Sequence, residues 1–572
     1  MEKTTKLNTI QKLKQLLKKN KIDAYIITST DEFQKPFSSS DRIKTLTNFT
    51  GSSGTAIVTN SKCYFFTDGR YTEQANRELN KDFELIDRKV TSLVKWLVSF
   101  TKKESKVGFD PKLHSITQIQ NLQKKLTHKN TLVPITENLV DLVQSSVAPN
   151  NNGSEETNEG TIFLHTLKYS GQSTKDKKRI LIDHIQNNNL DAVILTDLTS
   201  ICWLLNVRAH DLPFAPCMNA RLISKASGQF ELFTDATANS QIKKYLTNNN
   251  VTLIPLDLFE KELVRLKDKK LQLSGQAPYF LIQQLKNYVI AEDPCLLPKA
   301  CKNKIEIQGA IRAGIKDSRV LINFFKWLNE TLPERKVMEL DVVQKLIRFR
   351  KEQKGFLSPS FPSIVGFNKN AALAHYFPTK SSNKQILGNG LLLIDSGGQY
   401  IDGTTDITRT IAIDTPSPEQ IHNFTIVLKG HINLITAIFP EGTSGAQLDT
   451  LARAPLWKEG KDYEHGTGHG VGSFLAVHEG PQNIVKNYGT VPLKENMIVS
   501  IEPGFYKPKD YGIRIENLAY IKKANFSGYL TFEVLTYVHI DYKLINFDML
   551  TNDEANWVKN YNLKCNEIFN NT

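Results

Sequence analysis

At 572 residues, with 40% hydrophobic and 23% charged side chains, the chain has an ordinary globular composition and is too long for one core. About three domains of common size are expected. Its formal net charge of +13 invites a polyanionic partner, but the lysines are scattered and no patch interleaves basic and aromatic residues, so no nucleic acid is expected to bind.

The first element is a helix. KLKQLLKKNKI near the N-terminus spaces Leu13, Leu16 and Leu17 onto one face, with the lysines on a solvated face. The N-terminal segment lacks a continuous apolar core of the kind a secretory signal needs, and no stretch reaches about 18 apolar residues. The six cysteines form no Cys-x-x-Cys pair, which argues against a cysteine zinc site or a disulfide scaffold. A cytoplasmic protein with no membrane segment is expected.

Two stretches then repeat one order. KIDAYIITS and, later, YFFTDGRY in the first are echoed by NLDAVILTD and FELFTDAT in the second, each set preceded by a helical pattern. A helix, an Asp-Ala strand and a strand running into Phe-Thr-Asp recur in both, as a duplicated α/β unit would show. Between them SVAPNNNGSEETNEG has no hydrophobic periodicity and reads as a linker or exposed loop. After the second copy, KNKIEIQGAIRAGIKDSRVLINFFKWLNE carries apolar residues at three- and four-residue steps. It is expected to be a long amphipathic helix opening another domain near residue 303.

From about residue 390 the pattern turns to short strands. GNGLLLIDSGGQY is an apolar strand halted by Ser-Gly-Gly, DGTTDITRTIAI alternates, MIVSIEPGF stops at Pro-Gly, and GIRIENLAYI alternates again. Each carries or ends at a carboxylate: Asp395, Asp406, Glu502 and Glu516.

Between these strands lies HGTGHGVG, residues 465–472. It has no Gly-Lys-Ser/Thr ending and does not follow the G-x-G-x-x-G pattern after a strand, which excludes a phosphate cradle. His465 and His469 are four apart, yet a helical zinc motif is also excluded, because each of the four glycines would cost about 1 kcal/mol in a helix and residue 466 is Gly rather than Glu. Glycines instead let a backbone fold closely and aim a side chain. A single acidic residue at a strand end is usually just solvated, but four that converge would repel by kilocalories at close range unless cations intervene. Two divalent ions would supply the charge. Oxygen-dominated ligation with one imidazole favours a hard or borderline ion such as Mn²⁺, and a water bridging two such ions is activated for hydrolysis. Beside such a site His375 and His478 become candidates for moving a proton or donating to an oxyanion.

Together LIDSGGQYIDGTTDITRT, HGTGHGVGSFLAVHEGP, IEPGFY and GIRIEN closely resemble the creatinase/aminopeptidase fold family, specifically its long, three-domain Xaa-Pro aminopeptidases. The likeness extends to FTGSSGTAIV, FTDGRY, WLLNVRAHD and a tail through WVKNYNLKC. It implies an α/β fold with a C-terminal pita-bread domain preceded by two creatinase N-terminal-like α/β domains. The expected limits are 1–150, 160–302 and 303–540, with 541–572 a C-terminal extension.

The resemblance also implies roles. Asp395 would bind one metal, Asp406 and Glu516 would bridge two, and His469 with Glu502 would complete the other. Glu502 would also carry the proton from the attacking water to the departing proline nitrogen. His375 and His478 would hold substrate and stabilise the oxyanion, and His465 would line the pocket. Arg514, two residues before Glu516, would face the same side on a strand and steady the site among the substrate-binding residues, and Arg70 would reach substrate, from a partner subunit of a homodimer. The implied activity is that of a proline-specific metalloprotease, a hydrolase releasing the N-terminal residue from peptides with proline second. Prolidase, which cleaves only dipeptides, is the alternative, though it usually has one N-terminal domain. An inactive pita-bread binding module is a third reading, against which the complete ligand set stands. Lys35-Pro36-Phe37 and Ala209 depart from the pattern of relatives without touching the metal motifs.

Overall fold

The computed structural model describes residues 2–34, 41–100, 104–126, 130–145 and 160–570. The divergent Lys35–Phe37 and nearly all of the expected linker lie outside the described residues. The chain forms two compact units. One comprises residues 1–162, 177–205 and 218–293; the other comprises 163–176, 206–217 and 294–572.

The first unit holds two six-stranded sheets of one topology. In the first, Ala24–Thr28 pairs antiparallel with Thr55–Thr59, which pairs antiparallel with Cys63–Thr67, which pairs parallel with Phe83–Asp87. On its other side Ala24–Thr28 runs parallel to Ser105–Phe109, and that strand to Asn130–Pro134. The second sheet repeats this around Ala192–Leu195, with Arg221–Lys225, Phe230–Phe233 and Val251–Ile254 on one side and Leu271–Leu273 and Tyr288–Ile290 on the other. The duplication read from the sequence is therefore a duplication of sheets. The strand running into Phe-Thr-Asp is the third of each sheet in chain order, one strand later than the shared sequence order suggests.

Shared residues do the same work in both copies. Asp23 donates its N–H to the Lys106 carbonyl (2.8 Å) and accepts the Lys106 N–H on Oδ2 (2.8 Å). Asp191 does this with Lys270, at 2.9 and 2.8 Å. Thr67 Oγ1 donates to the Ser53 carbonyl at 2.8 Å, and Thr234 Oγ1 to that of Asn219 at 2.7 Å. In the N-terminal helix, Glu2–Lys19, Leu13 and Leu17 are buried and Leu16 partly so.

The second unit contains the expected long helix, Lys304–Thr331, begun by a capping box between Asn303 and Glu306. Its central strand, Gly390–Ser396, lies antiparallel between Ile364–Phe367 and Ile407–Ile413. Leu391, Leu392, Leu393 and Ile394 are all buried, so the strand is covered on both faces, each side chain contributing about 1.5–3 kcal/mol of burial. A second sheet orders Ile438–Pro440, Tyr529–Val534, Asn517–Lys523 and Ile498–Ile501. GIRIENLAYI is not one strand. Tyr511–Arg514 pairs with Gly504–Lys507, the chain then switches sheets at Ile515–Glu516, and Asn517–Lys523 pairs with Ile498–Ile501. The C-terminal helix Asn552–Asn570 closes the unit, with Val558, Tyr561 and Cys565 in its core.

Candidate metal centre

Strand register brings the four carboxylates to one place. Asp395 sits opposite Thr408 in the central ladder, and Asp406 lies two residues before Thr408, on the same face. In the second sheet the last rung pairs Ile501 with Asn517, so Glu502 and Glu516 follow together just beyond the same end of the ladder, one from each strand. Backbone bonds tie the ladders together. The Glu516 N–H donates to the Thr408 carbonyl at 3.2 Å and the Glu502 N–H to the Thr467 carbonyl at 2.8 Å.

His469 enters from the short strand Gly468–His469, paired with Asn483–Ile484. Its Nε2 lies 3.5 Å from Asp406 Oδ2 and 3.5 Å from Glu502 Oε1. One ligand atom each from Asp406, His469 and Glu516 fall within 4.8 Å of one another. Nδ1 of His469 is 3.0 Å from the Gly470 carbonyl; a carbonyl only accepts, so Nδ1 carries a proton and Nε2 is the ring atom turned to the carboxylates, the one a metal would take.

Two glycines of HGTGHGVG, Gly468 and Gly470, are there because backbone presses on backbone. A Cβ on Gly468 would lie 2.0 Å from the Ser500 carbonyl oxygen, and one on Gly470 2.1 Å from that of Glu479. What the loop folds closely around is the neighbouring chain, and that packing aims His469.

The electrostatics are those of a site built for cations. Burial, then Asp395 and Glu502, pushes the Asp406 carboxyl well above its ordinary range. Burial, then Asp406, Glu502 and Asp395, does the same to Glu516. Glu502 is raised by burial, with His469 and Arg514 opposing. Asp395 Oδ1 is buried with no hydrogen-bond partner, the kind of orphan that is rare unless something else satisfies it. Oxygen-rich donors, one imidazole nitrogen and unrelieved like charge fit a pair of hard or borderline divalent ions.

Arg514 is the organic counter-charge. Its Nη2 donates to Asp395 Oδ2 at 2.6 Å, Nη1 to Tyr506 at 2.6 Å and to the Ala374 carbonyl at 3.2 Å, and Nε to Thr408 at 3.1 Å. Burial alone would lower its pKa, but Tyr506, Asp395, Glu502 and Glu516 raise it well above the usual value. The sheet switch at Ile515–Glu516 accounts for the partner. Arg514 reaches Asp395 across the ladder directly and Glu516 through Thr408, which accepts from Nε and donates to the Glu516 carboxylate.

His465 donates Nδ1–H to the Gly466 carbonyl (2.8 Å) and takes the Tyr506 hydroxyl on Nε2 (2.8 Å), its Nδ1 being 3.9 Å from Glu502. The His478 ring is exposed and stands edge-on to His469, centroids 4.2 Å apart. His375 is half-buried and follows Ala374, whose carbonyl Arg514 holds. Arg70 lies in the first unit, where both arms of its guanidinium bind Asp68 at 2.7 and 2.8 Å.

Three supporting residues escape the sequence reading. Thr408 donates to Glu516 at 2.7 Å, Ser500 donates to Glu502 at 3.1 Å while accepting the His469 N–H at 3.0 Å, and Tyr506 links Arg514 to His465. Thr408 and Ser500 each stand two residues from a ligand, the spacing that shares a strand face. That was the available signal.

Comparison with known proteins fits this geometry. The model of metallopeptidase family M24 matches residues 309–523, models of the creatinase/prolidase N-terminal domain match 9–143 and 154–306, and a model of the C-terminal region of peptidase M24 matches 528–571. Aminopeptidase P2 of Arabidopsis thaliana is 36% identical over 94% of this chain and 82% of its own length. The chain belongs to the aminopeptidase P family of M24 metallopeptidases. The crystal structure of X-prolyl aminopeptidase from Caenorhabditis elegans, a cytosolic enzyme with a di-nuclear active site, superposes with a TM-score of 0.93 at 30% identity, covering 99% of this chain and 96% of that one. The prolidase of Pyrococcus furiosus shares the fold, with a TM-score of 0.50 at 24% identity, and spans 62% of this aminopeptidase P family member and 99% of itself.

Proposed function

We propose that the chain is a Xaa-Pro aminopeptidase that hydrolyses the bond between an N-terminal residue and a following proline. The observation that carries this reading is the convergence of Asp406, His469 and Glu516 within 4.8 Å, in a chain of aminopeptidase P ancestry. Asp395, Asp406, His469, Glu502 and Glu516 would hold two divalent ions, Mn²⁺ by the hardness of the donors. Such ions, when bound, polarise the scissile carbonyl and activate the attacking water.

The protein groups do the rest. Glu502, raised by burial, is suited to take a proton from water and to give it to the departing proline nitrogen. That transfer is obligatory, since the tertiary amide of an X-Pro bond leaves as an amine whose nitrogen carried no hydrogen. His375 and His478 supply imidazole donors for the carbonyl oxygen as it gains charge. Thr408 and Ser500 fix the rotamers of Glu516 and Glu502, Arg514 orients Asp395, and His465 with Tyr506 lines the pocket. Arg70 serves substrate in a homodimer, the chain works in the cytoplasm, and the division into domains at about residues 150–160, 302 and 540 belongs to the same proposal.

The test uses metal-stripped protein with Arg-Pro-Pro, Arg-Ala-Pro and Ala-Pro, with and without Mn²⁺. Metal-dependent release of Arg from Arg-Pro-Pro alone is the expected result. Preference for Ala-Pro identifies a prolidase, and no turnover with any divalent ion sinks the enzyme reading.

A further inference from the structure

The segment joining His469 to His478 passes through an unusual backbone. Phe474, midway along it, has φ +51, the left-handed region that a bulky aromatic residue seldom occupies. A residue held there needs surrounding structure that over-determines it.

Arg208 is that structure. It lies 266 residues earlier in the chain, is 1% exposed, and donates from Nε to the Phe474 carbonyl at 2.6 Å and from Nη2 to the Ser473 carbonyl at 3.2 Å. Its guanidinium carbon also stands 5.7 Å from the centroid of the Phe474 ring. The fork is aimed in turn: Nη1 donates to the Val207 carbonyl at 2.9 Å, and Nη2 meets His165 Nδ1 at 3.2 Å, whose Nε2 is 3.0 Å from the Ile401 carbonyl.

Downstream the clamp continues. The Leu475 carbonyl accepts from Gln399 Nε2 at 2.6 Å, and the Leu475 N–H donates to Thr404 Oγ1 at 3.3 Å, two residues before Asp406. Glu479, next to His478, is buried between Lys302 at 2.7 Å and Lys299 at 3.3 Å, and its N–H donates to the Gly470 carbonyl at 2.8 Å. His478 itself is exposed, its ring set edge-on to that of His469, and it sits on this clamped backbone next to Glu479.

We infer that Arg208 is a positioning residue for hydrolysis: by holding Phe474 in the left-handed conformation it sets His478 against the metal-ligand face. The inference rests on the proposed function, which assigns His478 to the substrate carbonyl. A planar fork that takes two successive carbonyls is a task for arginine, which lysine's single ammonium performs less completely. Arg208 touches no reacting atom in this account and acts through residues 473–478.

The experiment compares wild type, Arg208→Met, His478→Ala and the double variant, with metal content measured for each. In Arg208→Met, kcat for Arg-Pro-Pro is expected to fall about 10- to 100-fold with KM within about threefold and metal stoichiometry unchanged. In the His478→Ala background the same change is expected to add less than about threefold, because both act through one imidazole. A readout independent of turnover is hydrogen exchange at Gly472, Leu475 and Glu479, whose amides are bonded within the clamp and should exchange about 10-fold faster without Arg208. Fully additive kinetic losses, or unchanged exchange in this segment, overturn the inference. If Arg208→Met does not fold, Arg208→Lys runs the same cycle with the buried charge kept. Failure of the proposed function shows separately, as an inactive wild type.

Discussion

Asp23 and Asp191 sit exposed at the ends of their strands in the first unit, each closing a ladder by accepting one backbone N–H. Asp395, Asp406 and Glu516 sit buried in the second unit with half-buried Glu502 beside them, and Arg514 offsets one of their four charges. The first arrangement is satisfied by the chain alone. The second is not, since like carboxylates in a desolvated space resist ionisation. Natural chains break their own rules where function requires it, so the carboxylates that fold badly without cations mark the working site and those that fold well mark the scaffold.

The sharpest way to break this contrast is Asp406→Asn, which removes one of the crowded charges. Turnover should fall by more than the 10- to 100-fold that loss of a ligand's supporting contact costs, with metal stoichiometry reduced in the same preparation. In the metal-free state the sign reverses. Asp406 and Glu516 have folded pKa values raised above their unfolded ones, so their contribution to stability is complete below the ordinary carboxylate range and is lost as pH rises through the raised values. Metal-free wild type should therefore lose stability between acid and neutral pH more steeply than metal-free Asp406→Asn, and added Mn²⁺ should remove the slope. Thermal unfolding across pH reads both. Equal slopes in the two proteins would mean the carboxylates do not crowd.

Next in size is His478→Ala. It leaves the ligand set intact, so metal content should stay at the wild-type value while kcat/KM for Arg-Pro-Pro drops about 10²-fold, as loss of an oxyanion donor does. Wild-type activity in this variant would return His478 to an ordinary surface histidine.

How far the sequence reaches differs along the chain for physical reasons. Asp395, Asp406, Glu502 and Glu516 are legible because carboxylates at the ends of apolar strands are a costly pattern that a solvated loop does not need, whereas the choice of His469 over His465 comes from the family resemblance. The six-stranded duplication is legible because Asp23 and Asp191, and Thr67 and Thr234, keep the same bonds. Thr408, Ser500 and Tyr506 are less so, because hydroxyls are common: the two-residue spacing from Asp406 and Glu502 points at Thr408 and Ser500 without saying which carboxylate each braces, and Tyr506 lacks even that spacing. The partner of Arg514 is hidden for another reason: alternation continues smoothly through GIRIENLAYI although the chain changes sheets at Ile515–Glu516. Arg208 and Phe474 lie beyond reach altogether, since a contact over 266 residues and a positive φ leave no periodic trace.

The smallest effect tests the scaffold side of the contrast. Asp191→Ala removes the acceptor for the Lys270 N–H, and Asp23→Ala that for the Lys106 N–H, at equivalent rungs of the two sheets. Both sites are exposed, so water replaces the lost partner and each change should weaken its ladder by about 1 kcal/mol, the net worth of a hydrogen bond. Amide exchange at Lys270 and Lys106 should then quicken about fivefold, and the two losses should add, because distant sites without shared partners do. Turnover and metal content should not move. Equal responses would show that the copies share energetics as well as topology. A response in one sheet alone would mean that the duplicated aspartate has kept its geometry while the load it carries has shifted to neighbours, and a fall in kcat from either change would tie the scaffold carboxylates to the site and dissolve the contrast.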